Sequence, residues 1–165
     1  MSDGFRGQDM LGERDPIDVL RQTENDLSRL IEETNDLVMR KRPFEGKWTP
    51  IEILGHLVDH EIATACRIRT TRFDKEAWLS SYDQETWVAK QKYNDKDPKQ
   101  LIQRFKLLRN MNIEQYESLS PEELSRPHQR MGGGEVTLSY LLNRHASHDL
   151  IHLDQLDRYI KANRA

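Results

Sequence analysis

Apolar residues recur at every third or fourth position in four long stretches of the chain, with charged residues between them, the pattern of helices that each bury one face. The first stretch holds Ile17, Leu20, Leu27, Leu30, Ile31, Thr34, Leu37 and Val38 and predicts a helix to about Met39. The second holds Ile51, Leu54, Leu57, Val58, Ile62, Ala65 and Ile68 and fades near Phe73. The third holds Leu101, Ile102, Phe105, Leu108, Met111, Asn112, Gln115 and Leu119. The fourth follows Gly132-Gly133-Gly134, takes Thr137 as its N-cap, and carries Leu138, Leu141, Leu142, Leu153, Leu156, Tyr159 and Ile160.

Four prolines mark helix starts. Asp15-Pro16-Ile17-Asp18, Thr49-Pro50-Ile51-Glu52, Asp97-Pro98-Lys99-Gln100 and Ser120-Pro121-Glu122-Glu123 each set a side-chain acceptor before a proline at the first helical position. The last opens only a short turn before Pro127. No segment alternates with period two, so no strand is expected. Four amphipathic helices hide their apolar faces against one another, which predicts an all-α four-helix bundle. The stretch from Phe73 to Asp97 is too long for a tight turn between the second and third helices. With Phe73, Trp78, Tyr82, Trp87 and Tyr93, it reads as a crossover that packs on the bundle.

Composition narrows the class without changing this picture. A chain of 165 residues has the length of one domain, here expected over 15–165 behind a flexible tail at 1–14. Twenty-five basic against 28 acidic residues give a net charge of −3, which excludes a strongly basic nucleic-acid binder. No run approaches the ~20 apolar residues of a membrane span, and the mean hydropathy is −0.86, so a soluble protein without a membrane partner is expected. The polar start lacks the apolar run of an export signal, and the lone Cys66 can form no internal disulfide; both favour a cytoplasmic location.

The candidate chemistry lies with the six histidines, three of which fall in Arg144-His145-Ala146-Ser147-His148-Asp149-Leu150-Ile151-His152. At about 100° per residue, His145 and His152 project within about 20° of each other and His148 within about 60° of both. His148 and His152, at i and i+4, stand one turn apart, the spacing by which one helix offers two imidazoles to a metal ion. His145 and His152 share rows with Leu138, Leu142, Leu156 and Tyr159, which face the bundle interior. Imidazoles there are costly to bury unless something binds them. A third ligand has to come from another helix; His56 and His60 both lie at the rim of the second apolar arc, and periodicity allows either. Asp59 and Glu61 flank His60 and favour a solvated position for it, and His128 falls in a loop beside Pro127.

Two motifs decide between these alternatives. Trp48-Thr49-Pro50-Ile51-Glu52-Ile53-Leu54-Gly55-His56-Leu57-Val58-Asp59-His60-Glu61 resembles the second-helix motif of the DinB-like family, and His148, His152 and Gln155, spaced as H-x-x-x-H-x-x-Q, resemble its fourth-helix motif. Trp87, Tyr93 and the third helix with Arg109 are similar to the family's general pattern. The resemblance implies a four-helix bundle that binds a divalent metal, zinc or nickel, through His56, His148 and His152. It also implies a homodimer, with His145 as a neighbour in the cavity.

Three neutral imidazoles leave a metal its full charge and an open position, which can lower the pKa of water to near ~7 or favour a thiolate. Asp59, one turn after His56, and Asp149, one turn before His152, are placed to orient an imidazole or act as base. Arg67, Arg69 and Arg72 are candidates for attracting an anionic substrate or a low-molecular-weight thiol, although cations at a helix C-terminus also offset its dipole. Cys66 lies about 80° from His56 on the wheel and reads as a small packed side chain. Gly132-Gly133-Gly134 lacks the Lys-Ser or Lys-Thr of a phosphate loop and reads as a flexible turn. The expected function is a metal-dependent enzyme, a hydrolase or a thiol S-transferase, with a small-molecule substrate; the alternative is a non-enzymatic metal-binding or stress-associated interaction module.

Overall fold

The computed structural model describes residues 10–77, 79 and 82–165. Its helices are α1 (Pro16–Glu32), α2 (Asp36–Arg40), α3 (Pro50–Phe73), α4 (Gln84–Gln91), α5 (Pro98–Glu117), α6 (Pro121–Ser125) and α7 (Leu138–Arg164), with a 3-10 turn at Tyr93–Asp95. The proline starts act as the sequence predicts. Asp15 accepts from the amides of Ile17 and Asp18, Asp97 accepts from that of Lys99, and Thr49 with Glu52 and Ser120 with Glu123 close reciprocal capping boxes. Trp78, one of the aromatic residues of the crossover, and residues 1–9 lie outside the described residues; Leu11, within the expected tail, is buried against Val19 and Leu20.

The first helix is shorter than its apolar spacing suggests. It ends at Glu32, and a new five-residue helix begins after Asn35, whose side chain accepts from the Val38 amide at 2.9 Å. Thr34 bonds back to the Leu30 carbonyl. These local bonds outcompete continuation of the helix and turn Val38 and Met39 into the core, leaving Leu37 82% exposed. The side-chain amide of Asn163 on α7 donates to the carbonyls of Val38 and Lys41 and holds the new segment down. A two-residue antiparallel ladder, β1 (His128–Gln129) with β2 (Glu135–Val136), adds strands that the sequence pattern did not announce. Its turn uses Gly132, Gly133 and Gly134, all with φ between +81° and +101°, and Ala77 bridges to Arg130 alongside it.

Helix α1 packs against α5 and α7, and α3 packs against the same two, so α1 and α3 lie on one diagonal and α5 and α7 on the other. The core forms two apolar clusters. One holds Leu27, Ile31, Ile51 to Val58, Leu101 to Phe105 and Leu156 to Ile160; the other holds Val19, Leu20, Ile68, Ile113 to Leu119 and Leu138 to Ala146. Chain order through these clusters gives direction: α1 and α7 run one way, α3 and α5 the other. Two consecutive long helices that are parallel neighbours need a connection that retraces about 30 Å. That is why the segment between Phe73 and Pro98 is long, and why it carries α4 and the 3-10 turn back along α3.

The crossover is seated by one close approach. The ring of Tyr93 lies on Gly55 of α3, where a Cβ would stand 2.2 Å from its Cγ. The Tyr93 hydroxyl then bonds to Asp59, one turn further along α3. A Gly55→Ala change is therefore expected to lose about 1–2 kcal/mol of stability, overpacking outweighing the gain of up to ~1 kcal/mol in helix propensity. The loss should disappear in a Tyr93→Ala background, as read from urea denaturation of both pairs.

Candidate metal centre

Helices α3 and α7 are antiparallel neighbours, and their facing sides bring His56 to His148 and His152. The i,i+4 spacing on α7 puts the rings of His148 and His152 4.4 Å apart, and His56 lies 5.1 and 4.7 Å from them between ring centres. One nitrogen from each falls within 4.8 Å of the others, and the Nε2 atoms of His56 and His148 are 3.1 Å apart. A tetrahedral ion with nitrogens at 2.0–2.1 Å spaces them about 3.3–3.4 Å apart, so the pair needs little movement to serve as ligands. His152 Nδ1 donates to Gln155 Oε1 at 2.8 Å, which leaves its Nε2 lone pair for the same point. Gln155 in turn donates to the Tyr159 hydroxyl.

The surroundings keep His56, His148 and the nearby His60 neutral. Burial, with the neighbouring His152, pushes His56 down to about 3, and burial lowers His148 and His60 well below their ordinary value. The Nδ1 atoms of His56 and His148 are buried without partners. Three imidazoles converging on one point, with His56 and His148 held neutral by burial and their Nδ1 atoms left without partners, fit a divalent cation.

His60 does not lie in solvent as its charged neighbours suggest. It is half-buried and stacks on His148 with ring centres 3.6 Å apart and planes 12° from parallel. The flanking acids do not draw it outward because Asp59 and Glu61 are themselves 2% and 0% exposed. His145 stands apart from the three converging imidazoles, its Nε2 2.7 Å from Glu61 Oε1. Glu61, His145 and Asp149 form a second cluster, all buried, and the cation there is a guanidinium. Arg109 of α5 sets Nη2 2.5 Å from both Glu61 Oε1 and Asp149 Oδ2, and its Nη1 donates to the Leu20 carbonyl and the Thr23 hydroxyl of α1. Asn112 donates to the remaining Glu61 oxygen at 2.8 Å, and Thr23 to Asp149 at 2.9 Å. Burial alone would raise the pKa of Glu61, but Arg109 and His145 outweigh it and hold the carboxyl below its usual range.

The other sequence candidates separate. Asp59 lies beside the centre with one oxygen bonded to Tyr93 and Oδ2 buried without a partner; burial raises its pKa. Asp149 points to Arg109 and Thr23. Arg67 lines a cavity with His56, His60 and His148, whereas Arg69 bonds the Ala65 carbonyl and Met111, and Arg72 pairs with Glu123. Cys66 is exposed rather than packed. The histidine spacing gives Glu61 and Arg109 no role, yet their positions carry a signal. Leu54, Val58, Glu61, Ala65 and Ile68 share one stripe, as do Leu101, Phe105, Arg109 and Asn112, so both charges sit where the pattern calls for apolar residues.

The chain belongs to the DinB superfamily, whose family model matches residues 20–156. Among solved structures it is similar to YfiT from Bacillus subtilis, described as a probable metal-dependent hydrolase with an unusual four-helix bundle topology, at 18% identity and a TM-score of 0.79, covering 88% of this chain and 84% of that one. It is also similar to a mycothiol-dependent maleylpyruvate isomerase, at 16% identity and a TM-score of 0.68, covering 90% of this chain. This chain spans 62% of that enzyme's length. These likenesses establish the shared fold. No curated protein gives a significant match.

Three outcomes follow from the clusters. Replacing His56, His148 or His152 by Ala should abolish stoichiometric binding of a divalent ion, measured by elemental analysis of untagged protein after equilibration with zinc, while His145→Ala should retain it. Arg109→Met should cost about 3–5 kcal/mol, because it leaves two buried carboxylates without their cation. Glu61, with its folded-state pKa below the unfolded value of about 4.5, binds a proton more readily in the unfolded chain. Its contribution is present above that pH and lost as the pH falls below it, so acid denaturation curves should steepen there and flatten in Glu61→Gln.

Proposed function

We propose that this protein is a metal-dependent enzyme in which His56, His148 and His152 hold a divalent ion, zinc or nickel, to activate a nucleophile against a small-molecule substrate. The observation that carries this reading is the convergence of one nitrogen from each of His56, His148 and His152 beside open space. An ion held there supplies Lewis acidity and lowers the pKa of water or a thiol that reaches it. The chain supplies the positioning. Gln155 fixes the ring of His152, Trp48 covers one side of His56 with ring centres 5.0 Å apart, and Asp59 lies one turn from His56 with an unused acceptor. Tyr82, pushed up to about 12 by burial and then by Asp59, offers a protonated hydroxyl to the cavity at neutral pH.

The finer reading is thiol transfer rather than hydrolysis. A cavity of about 470 Å³ is lined by His56, His60, Tyr82 and His148, and a second of about 340 Å³ by Trp48, His152, Gln155 and Tyr159. Gln84 and Glu85 at the start of α4 line both. Two chambers meeting one set of ligands suit two organic reactants, whereas hydrolysis needs room for one. The two similar structures carry one branch each in their descriptions, a metal-dependent hydrolase and a thiol-dependent isomerase.

With zinc or nickel restored, the protein should accelerate attack of a thiol on a reactive aryl halide, give a thioether, and show no turnover without added thiol. Ester, amide and lactone substrates form the hydrolytic arm of the same assay. If no substrate reacts faster with the wild type than with His152→Ala, the interaction-module reading replaces the enzyme.

A further inference from the structure

The cavity over the histidines has a cationic wall. Arg67 of α3 and Arg144 of α7 line it together with His56, His60 and His148. The same two arginines line a neighbouring cavity of about 270 Å³ whose other walls include Arg130, Tyr140 and Leu141. Among the described residues, no carboxylate lines that second cavity. In the first, the acids stand on α4 and are engaged: Asp83 caps the helix through the Thr86 amide, and Glu85 accepts from Trp48 Nε1.

This is unusual in a chain with more acids than bases. Elsewhere arginines find carboxylates: Arg21, Arg29, Arg40, Arg42, Arg72 and Arg158 all pair with one. The guanidinium groups of Arg130 and Arg144 pair with none among the described residues. They are placed by different devices. Arg144 projects from α7 one residue before His145, and Arg130 is held where the glycine turn and the Ala77 bridge fix the backbone after β1. Arg67 is half-buried and close enough to Arg144 that burial and then this second cation lower its pKa. Like charges gathered on one wall raise the potential there, and a bound anion would relieve their repulsion.

We propose that Arg67, Arg130 and Arg144 form a subsite for the carboxylate of the reactant whose other end meets the histidine centre. Guanidinium forks match the two oxygens of a carboxylate, and a wall facing both cavities lets one ligand bridge from acid group to reacting atom. The subsite replaces the grouping of Arg67 with Arg69 and Arg72 suggested by their nearness in sequence. It rests on the proposed enzymatic reading for the reacting end, and on the arginines alone for the acid end.

The test separates those two ends. Cobalt-substituted protein, whose visible spectrum reports thiolate coordination, is titrated with 3-mercaptopropionate and with uncharged 2-mercaptoethanol. The wild type should bind the charged thiol at least about tenfold more tightly. Arg144→Gln, at an exposed position that tolerates the change, should erase that preference, as should Arg67→Gln, while Arg69→Gln should keep it. Equal affinity for both thiols in the wild type, or a preference that survives Arg144→Gln, overturns the subsite. In parallel, benzoate is titrated calorimetrically into metal-free protein. Binding lost in Arg144→Gln upholds the subsite even if cobalt fails to load, which would defeat the enzymatic reading alone; no benzoate binding overturns the subsite. Acetate and inorganic phosphate then compete with 3-mercaptopropionate, acetate upholding the carboxylate assignment and competition by phosphate alone overturning it.

Discussion

The structure depends on one buried guanidinium. Arg109 has no solvent exposure, and its nitrogens reach Glu61 on α3, Asp149 on α7, and the Leu20 carbonyl and Thr23 hydroxyl on α1. All four long helices therefore meet at one level, in a polar belt that divides the apolar core into its two clusters. A belt of this kind adds little net stability when intact, since desolvation offsets most of the attraction, but removing one member leaves charges that nothing else can satisfy. It acts as a register device. A helix sliding by one turn would strand a carboxylate in the apolar layer above or below.

That register places the histidines. Glu61 follows His56 by five residues and Asp149 follows His148 by one, so the clamp holds α3 and α7 within a turn or two of the candidate ligands. Imidazole nitrogens must agree to within about half an ångström to bind one ion well. The rigid scaffold under them supplies that agreement, and His145, hydrogen-bonded to Glu61, lends its place on the metal-facing side of α7 to the clamp.

Much of the fold was legible because its signals are local. Proline after an acceptor fixes a helix start through bonds within four residues, and the capping boxes at Thr49 and Ser120 appear where the sequence puts them. The His148 and His152 pair was legible for the same reason. What was not legible was a local bond set beneath an unbroken apolar pattern, or depends on partners far along the chain. Periodicity carried the first helix through Thr34 and Asn35, whose own side chains stop it, and the charged neighbours of His60 favoured a solvated position although Arg109 and Tyr93 hold those neighbours inside. The cationic wall joins residues from α3, α7 and the glycine turn, and no spacing within one helix announces it.

The diagonal placement of α1 has a consequence for how the chain reaches this state. Its main neighbours, α5 and α7, are the later helices, and the Thr23 to Asp149 contact spans 126 positions. On a ribosome adding about 5–20 residues per second, the apolar stripe of α1 waits on the order of 3–13 s before α5 begins to emerge, and longer for α7. During that interval the newly made N-terminal half shows an uncovered greasy face to the cell. Distant pairings of this kind slow folding of a helical protein relative to bundles whose successive helices pack at once. The architecture that assembles the site thus leaves the nascent chain dependent on its last segment, and a polypeptide released before α7 is complete would be a natural client for chaperones and proteases.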